Sequence, residues 1–290
     1  MLLKEVLTKS IQFFKDKKIE SVRLDAELLI AHALKMDRIS LYVKFEQPLT
    51  EFEVQACREY IRRRSLGESV AYITEEKGFF GEVFKVIPGV LVPRPETEHL
   101  VEEVLKFIEK NKIENPRLLD MGAGTGCIGL SILKQIPTAT LVSVDISEIA
   151  IRNIKLNVEK FGLQDRVVII ETAVENIPWN DLAHFGPGAF DCIVSNPPYI
   201  DSADTDVDPH VRKFEPAQAL FAENKGLLFL QNWSKLSVGS LKKPGIMAFE
   251  MGHLQGPIMK EHFQSLNVFS EVRVIQDLSE KDRIIQGLIK

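Results

Sequence analysis

The chain has 290 residues, 45% of them hydrophobic and 27% charged, as in an ordinary globular protein with room for one large domain and one small one. A net charge of −5 argues against a partner held mainly through phosphates, and Arg62, Arg63 and Arg64, the densest basic run, read as a solvated helix face. Cys57, Cys127 and Cys192 are too few and too widely spaced for a disulfide framework or a zinc site, so no metal is expected. Lysines interrupt the amphipathic N-terminus, and no apolar run approaches the roughly 18 residues of a membrane span. A reduced, soluble, cytoplasmic protein without a membrane partner is expected.

Residues 1–75 predict an all-helical domain. Leu3, Val6, Leu7, Ile11 and Phe14 recur at helical spacing, a second helix covers Val22 to Leu34, and a third runs from about Leu49 to Arg64. Residues 76–92 change character: Phe79-Phe80-Gly81-Glu82-Val83-Phe84-Lys85-Val86 is aromatic and β-branched around a glycine, which predicts a β-hairpin linker. Pro93 and Pro95 then stiffen an extended approach to a helix from about Glu96 to Lys110.

Within residues 93–290, strands alternate with helices. Strands are predicted at Arg117–Met121, Thr140–Asp145, Val167–Glu171, Phe190–Asn196 and Gly245–Glu250, with helices at Cys127–Gln135, Glu148–Phe161 and Leu227–Leu241. That alternation means a doubly wound, mainly parallel α/β sheet. Val272–Gln276 and Arg283–Ile289 lie too close for a helical crossover and should pair antiparallel. Ligands of such sheets bind outside the carboxyl ends of the strands. Three clusters fall there: Asp120–Gly126, Asp145 and Asn196–Tyr199.

In Asp120-Met121-Gly122-Ala123-Gly124-Thr125-Gly126 the glycines permit a tight turn and a close backbone approach to a ligand. Asp145, ending the next strand, can accept hydrogen bonds from both hydroxyls of a ribose. Gly124 to Gly129 also satisfies the dinucleotide pattern G-x-G-x-x-G. Asp120 favours another ligand, because a carboxylate before the loop repels a pyrophosphate and suits the cationic methionine part of S-adenosylmethionine.

Asn196-Pro197-Pro198-Tyr199 is an unusual exit from a strand. Two prolines remove two donors and fix φ twice, leaving a rigid extended loop. Taken alone, the run reads as a stiff stop with Tyr199 as a packing residue. Beside the glycine loop it reads as chemistry. Asn196 Oδ1 and the Pro197 carbonyl can accept both hydrogens of a planar –NH2 group and aim its nitrogen at a methyl, while Tyr199 stacks on the flat group. Such a target is a protein amide or, alternatively, the amino group of adenine in a nucleic acid.

The chain resembles the HemK/PrmC family, the peptide-chain-release-factor N5-glutamine methyltransferases. The resemblance spans nearly its whole length: Asp25-Ala26-Glu27-Leu28-Leu29, Pro93-Arg94-Pro95-Glu96-Thr97-Glu98, the glycine loop, Asn196–Tyr199, Phe214-Glu215-Pro216 through Ala219-Leu220, and Glu250 to Gln255. It implies a Rossmann-like, seven-stranded class I methyltransferase domain behind a helical recognition domain. It implies S-adenosylmethionine as cofactor and the glutamine of the Gly-Gly-Gln loop of class 1 release factors as substrate, with no direct nucleic-acid partner. Carried onto this chain, the cofactor residues are Asp120, Gly122, Ala123, Gly124, Thr125, Gly126, Asp145, Val174 and Asn196. Asn196, Pro197, Pro198 and Tyr199 receive the substrate, with Asn196, Pro197 and Tyr199 catalytic. The sequence departs from the family at Glu171-Thr172-Ala173-Val174, where Ala173 replaces a frequent acidic residue, and at Asp277–Arg283, which lacks the usual small residue and glycine.

Overall fold

The computed structural model describes residues 1–179 and 189–290. They divide into two compact units, Met1–Glu76 and Lys77–Lys290.

The first unit holds five helices where the sequence predicts three: α1 (Leu3–Asp16), α2 (Val22–Ala33), α3 (Arg38–Val43), α4 (Glu51–Ser65) and α5 (Val70–Thr74). The additional two are single short pieces, too brief to display a hydrophobic period. Leu3, Val6, Leu7 and Phe14 of α1 pack with Leu29, Ile30, Val54 and Ile61 of α2 and α4. A reciprocal capping box starts α4: the Thr50 hydroxyl accepts from the Glu53 N–H, and the Glu53 carboxylate accepts from the Thr50 N–H. Each arginine of the basic run has an acidic partner: Arg62 pairs with Glu59, Arg63 with Glu68, and Arg64 with Asp25. The run is therefore locally neutralised.

The second unit opens with a two-stranded sheet, β1 (Glu76–Phe79) and β2 (Glu82–Lys85). Phe79 and Phe84 meet edge to face, and Phe84 meets Phe161. Helix α6 (Glu98–Asn111) follows a short 3-10 turn, Pro95–Thr97. Then come β3 (Arg117–Met121), α7 (Cys127–Gln135), β4 (Thr140–Asp145), α8 (Glu148–Phe161), β5 (Val167–Glu171) and β6 (Phe190–Ser195). A pair of two-residue strands, β7 (Ile200–Asp201) and β8 (Phe221–Ala222), encloses α9 (Pro209–Phe214) and α10 (Ala217–Leu220). The chain continues through α11 (Leu228–Ser237), β9 (Leu241–Glu250), α12 (Gly256–Ser265), β10 (Glu271–Gln276) and β11 (Asp282–Ile289).

The seven-stranded sheet runs β10-β11-β9-β6-β3-β4-β5, with β11 running against the other six strands. Strand β3 shows why both faces are covered. Leu118 lies in the core shared with α6, α7 and α8, whereas Leu119 and Met121 lie in the core shared with α11 and α12. Successive side chains of a strand point to opposite faces, so an uninterrupted apolar run requires helices on both. The sequence places the start of β9 at Gly245, but the strand begins at Leu241, and pairing with β6 shifts register between Phe190 and Cys192.

Candidate active site

The carboxyl ends of β3, β4 and β6 meet at a cavity of about 280 Å³. Its wall includes Gly122, Ala123, Gly124 and Thr125 of the glycine loop, Asp145, Val174, Asn196 and Pro198. Gly122 and Gly124 hold φ of 66° and 59°, a backbone region that favours glycine. A Cβ at Gly122 would sit 3.1 Å from the Trp233 ring, so the absent side chain keeps this part of the cavity open.

The loop's hydrogen bonds discriminate between nucleotide readings. Gly122 and Ala123 both donate to the Val144 carbonyl, Gly124 donates to Asp145 Oδ2, and Gly126 donates to the Ala123 carbonyl. A phosphate cradle needs free N–H groups aimed at the ligand. Here four loop N–H groups are committed inside the protein, which disfavours a pyrophosphate. Asn157 supports the loop from α8 by donating to the Thr125 carbonyl.

Asp145 lines the cavity and is held from two sides. Oδ2 accepts from Gly124 and Oδ1 from the Ser147 N–H, both at 2.9 Å. Burial raises its pKa, opposed by those same backbone donors. Two of its lone-pair sites are used, so both oxygens keep acceptor capacity.

Asp120, Gly126, Pro197 and Tyr199 lie outside the cavity wall. Strand alternation explains Asp120. Its side chain follows Leu118 towards α7, is fully buried, and accepts from the Gly129 N–H at 3.1 Å. Burial, with Asp145 nearby, pushes it up to about 7. The carboxylate therefore sits beneath the loop, not at its rim. Gly126 caps α7 with φ 78°. Tyr199 is also anchored away from the cavity, its hydroxyl donating to Glu250 Oε1 at 3.0 Å.

The Asn-Pro-Pro-Tyr loop is tied down at several points. Ser195 Oγ donates to the Met121 carbonyl, and Gln255 Nε2 donates to the Tyr199 carbonyl at 2.9 Å. Asn196 Nδ2 donates to Thr97 Oγ1 at 3.3 Å, and Thr97 Oγ1 donates to Glu250 Oε2 at 2.6 Å. Arg94 pairs with the buried Glu215, joining the Pro-Arg-Pro-Glu-Thr-Glu and Phe-Glu-Pro segments at the wall.

Sequence reasoning missed Glu175, Phe229 and Trp233, which also line the cavity. Trp233 Nε1 donates to Glu175 Oε1 at 2.7 Å, and Phe229 packs on the Trp233 ring. An acidic residue does stand near the end of β5, two positions after Ala173. The only available sequence signal was an aromatic pair one helical turn apart on α11.

A mostly parallel seven-stranded sheet with its cavity at the strand ends defines a class I S-adenosylmethionine-dependent methyltransferase. The cofactor fits the residues present: an acceptor at the end of β4 for ribose hydroxyls, aromatic rings for a flat base, and a glycine cradle for close backbone approach. The catalytic domain of hMettl16, solved in complex with the MAT2A 3'UTR hairpin 6, shares this fold at 15% identity. It has a TM-score of 0.56 and covers 79% of this chain and 82% of that one.

Residues 5–74 match the PrmC N-terminal domain, and residues 98–271 match the methyltransferase small domain. The release factor glutamine methyltransferase of Chlorobaculum tepidum is 35% identical over 283 residues, 96% of this chain and 94% of that protein. That of Clostridium botulinum is 35% identical over 289 residues, 99% of both. The chain belongs to the release factor glutamine methyltransferase family. Among the described residues no helix is long and apolar enough to cross a membrane.

Proposed function

We propose that the protein transfers a methyl group from S-adenosylmethionine to the side-chain amide nitrogen, N5, of the glutamine in the Gly-Gly-Gln motif of class 1 peptide chain release factors, in the cytoplasm. The observation that carries this reading is Asn196 at the cavity wall, on a loop stiffened by two prolines, with Nδ2 already engaged by Thr97. Asn196 Oδ1 then remains for a donor in the cavity.

Bound in the cavity, S-adenosylmethionine supplies a methyl carbon activated by a positively charged sulfur. Asp145 would accept from the ribose hydroxyls, Gly122 to Thr125 would let the backbone approach the methionine part, and Val174 would pack at the base. Asn196 Oδ1, at the wall, accepts one hydrogen of the target amide, and the Pro197 carbonyl next to it, outside the wall itself, accepts the other where the target enters. Those two bonds orient the nitrogen and grow stronger as it becomes positive, which lowers the barrier; as the N–C bond forms the methyl–sulfur bond would break, S-adenosylhomocysteine would leave, and one of the two amide hydrogens would depart as a proton to water. Pro198 bounds the slot, and Tyr199, through Glu250, holds the loop.

We assign residues 1–75 to recognition of the protein substrate, 76–92 to a hairpin linker and 93–290 to the methyltransferase domain. Every residue of the cavity wall lies at position 89 or later. The helical unit exposes Ile39, Val43 and Phe52 at 77%, 79% and 84%, surface suited to a protein partner. The adenine-amino alternative finds less support, because Arg62, Arg63 and Arg64 are all ion-paired.

The test is mass spectrometry of a purified release factor after incubation with the protein and S-adenosylmethionine. One added methyl on the Gly-Gly-Gln peptide is expected. An unmodified glutamine beside a methylated adenine oligonucleotide would overturn the reading.

A further inference from the structure

We propose that Thr97 and Glu250 are positioning residues that set the polarity of the Asn196 amide, turning Oδ1 and not Nδ2 towards the substrate. This rests on the amide-methylation reading above and adds a reason why Asn196 faces the right way.

The two ends of an asparagine side-chain amide have nearly the same size and form. Packing therefore cannot choose between orientations related by a half-turn, and only hydrogen-bond polarity can. In the wrong orientation Asn196 would present N–H groups to the N–H groups of the target amide.

The polarity starts at Glu250, the last residue of β9, which is 1% exposed. Above about pH 7, where Glu250 has lost its proton, the carboxylate only accepts. Its Oε1 takes the Tyr199 hydroxyl proton at 3.0 Å, and its Oε2 takes the Thr97 hydroxyl proton at 2.6 Å. A hydroxyl has a single proton, so Thr97 Oγ1, having donated it, can only accept from its other neighbour. That neighbour is Asn196, 3.3 Å away, and the atom facing Thr97 must be Nδ2. Thr97 is 2% exposed, which keeps bulk water from replacing it. The chain Asn196 to Thr97 to Glu250 runs one way because it ends on a group with nothing to donate.

This adds a task to two segments that already brace the cavity through Arg94 and Gln255. Thr97 closes the 3-10 turn of Pro-Arg-Pro-Glu-Thr-Glu, and Glu250 opens the Glu-Met-Gly-His-Leu-Gln segment. They are 153 residues apart and meet beside Asn196, where Thr97 also reaches the cavity wall.

Single-turnover methylation of a release factor at saturating cofactor and about pH 8, where Glu250 is ionised, tests the proposal. Thr97→Val keeps the side-chain form and removes both bonds, and its chemical rate should fall roughly tenfold or more, the scale of one lost hydrogen bond. Thr97→Ser should restore the rate to within roughly threefold of the parent, and the KM for release factor should change much less than kcat in both. In an Asn196→Ala background, Thr97→Val should cost nothing further, since Thr97 acts only through Asn196. Glu250→Gln, which can donate to Thr97, should lose rate with the same non-additivity and serves where Thr97→Val folds poorly.

A readout independent of turnover is the Asn196 side-chain amide resonance in asparagine-labelled protein. One hydrogen-bonded, slowly exchanging proton is expected in the parent and in Thr97→Ser, and none in Thr97→Val. A Thr97→Val rate near the parent's, an equal loss in the Asn196→Ala background, or an unchanged Asn196 resonance overturns the proposal. If the parent methylates no release factor, the functional reading fails by itself, and the resonance still decides the positioning role.

Discussion

Glu250 makes stability depend on pH in a direction opposite to that of most carboxylates. Burial, opposed by the Thr97 and Tyr199 hydrogen bonds, raises it from an ordinary 4.5 to about 7. In the unfolded chain the group loses its proton near 4.5, while in the folded protein it keeps it to about 7. Between those values the unfolded state binds fewer protons, so stability falls as pH rises, and it levels off above 7. At about 1.4 kcal/mol per pH unit, that interval corresponds to roughly 3 kcal/mol. Asp120 is raised for the same reason and slopes the same way, so the parent curve alone does not isolate Glu250. Glu250→Gln does, because Asp120 is common to both proteins and cancels in the difference. The variant should gain roughly 3 kcal/mol on the parent between pH 4.5 and pH 7. The assay is urea unfolding at fixed pH followed by tryptophan fluorescence, since both tryptophans, Trp179 and Trp233, belong to the second unit. A difference that stays flat across that window, or moves the other way, would refute the claim that Glu250 is held protonated by burial.

Three further outcomes follow from the site. Asp145→Ala should weaken S-adenosylmethionine binding by about 1–3 kcal/mol in calorimetry, and unchanged affinity would remove Asp145 from the ribose. Asn196→Ala should lower kcat by roughly a hundredfold or more while release-factor binding barely changes; a near-normal single-turnover rate would reduce Asn-Pro-Pro-Tyr to a rigid turn. Gly226→Ala should cost about 1–3 kcal/mol of stability together with activity, because a Cβ there would lie 2.0 Å from the Tyr199 carbonyl oxygen at a φ of 79°. Gly239→Ala, with nothing within 4 Å of its Cβ, is the control that should melt like the parent.

The sheet was legible because β3, β4 and β5 run where short apolar stretches lie, broken only by the buried Asp120 and Ser143. Helix α12 was not, since Pro257 interrupts its first turn and only Met259 and Phe263 of its side chains lie buried with its first residue, Gly256. Short elements such as α3, α5 and α10 offer less than two turns of pattern and take their form from what they pack on. At the site, residues adjacent in sequence to a strand end could be read from spacing, as with Asp145 and Asn196. Glu175 and Trp233 could not, because their pairing spans 58 residues and neither stands in a local motif. Asp120 illustrates the opposite hazard. Its place beside the glycine loop suggested a ligand contact, but pleat parity sends the side chain to the α7 face.

The Asn-Pro-Pro-Tyr loop by itself cannot define the substrate. Its acceptors suit any planar –NH2, whether on an amide or on a purine, and the fold shared with the hMettl16 catalytic domain is equally neutral on this point. Discrimination must therefore come from groups that deliver the target. A nucleic acid requires unpaired cations along its path. On α4 of this chain the three consecutive arginines are spent on Glu59, Glu68 and Asp25. Selectivity for a protein glutamine thus rests on surfaces beyond the catalytic loop. On the proposed mechanism the loop and the Thr97–Glu250 pair hold a weakly nucleophilic nitrogen by its hydrogens, whichever planar group carries it.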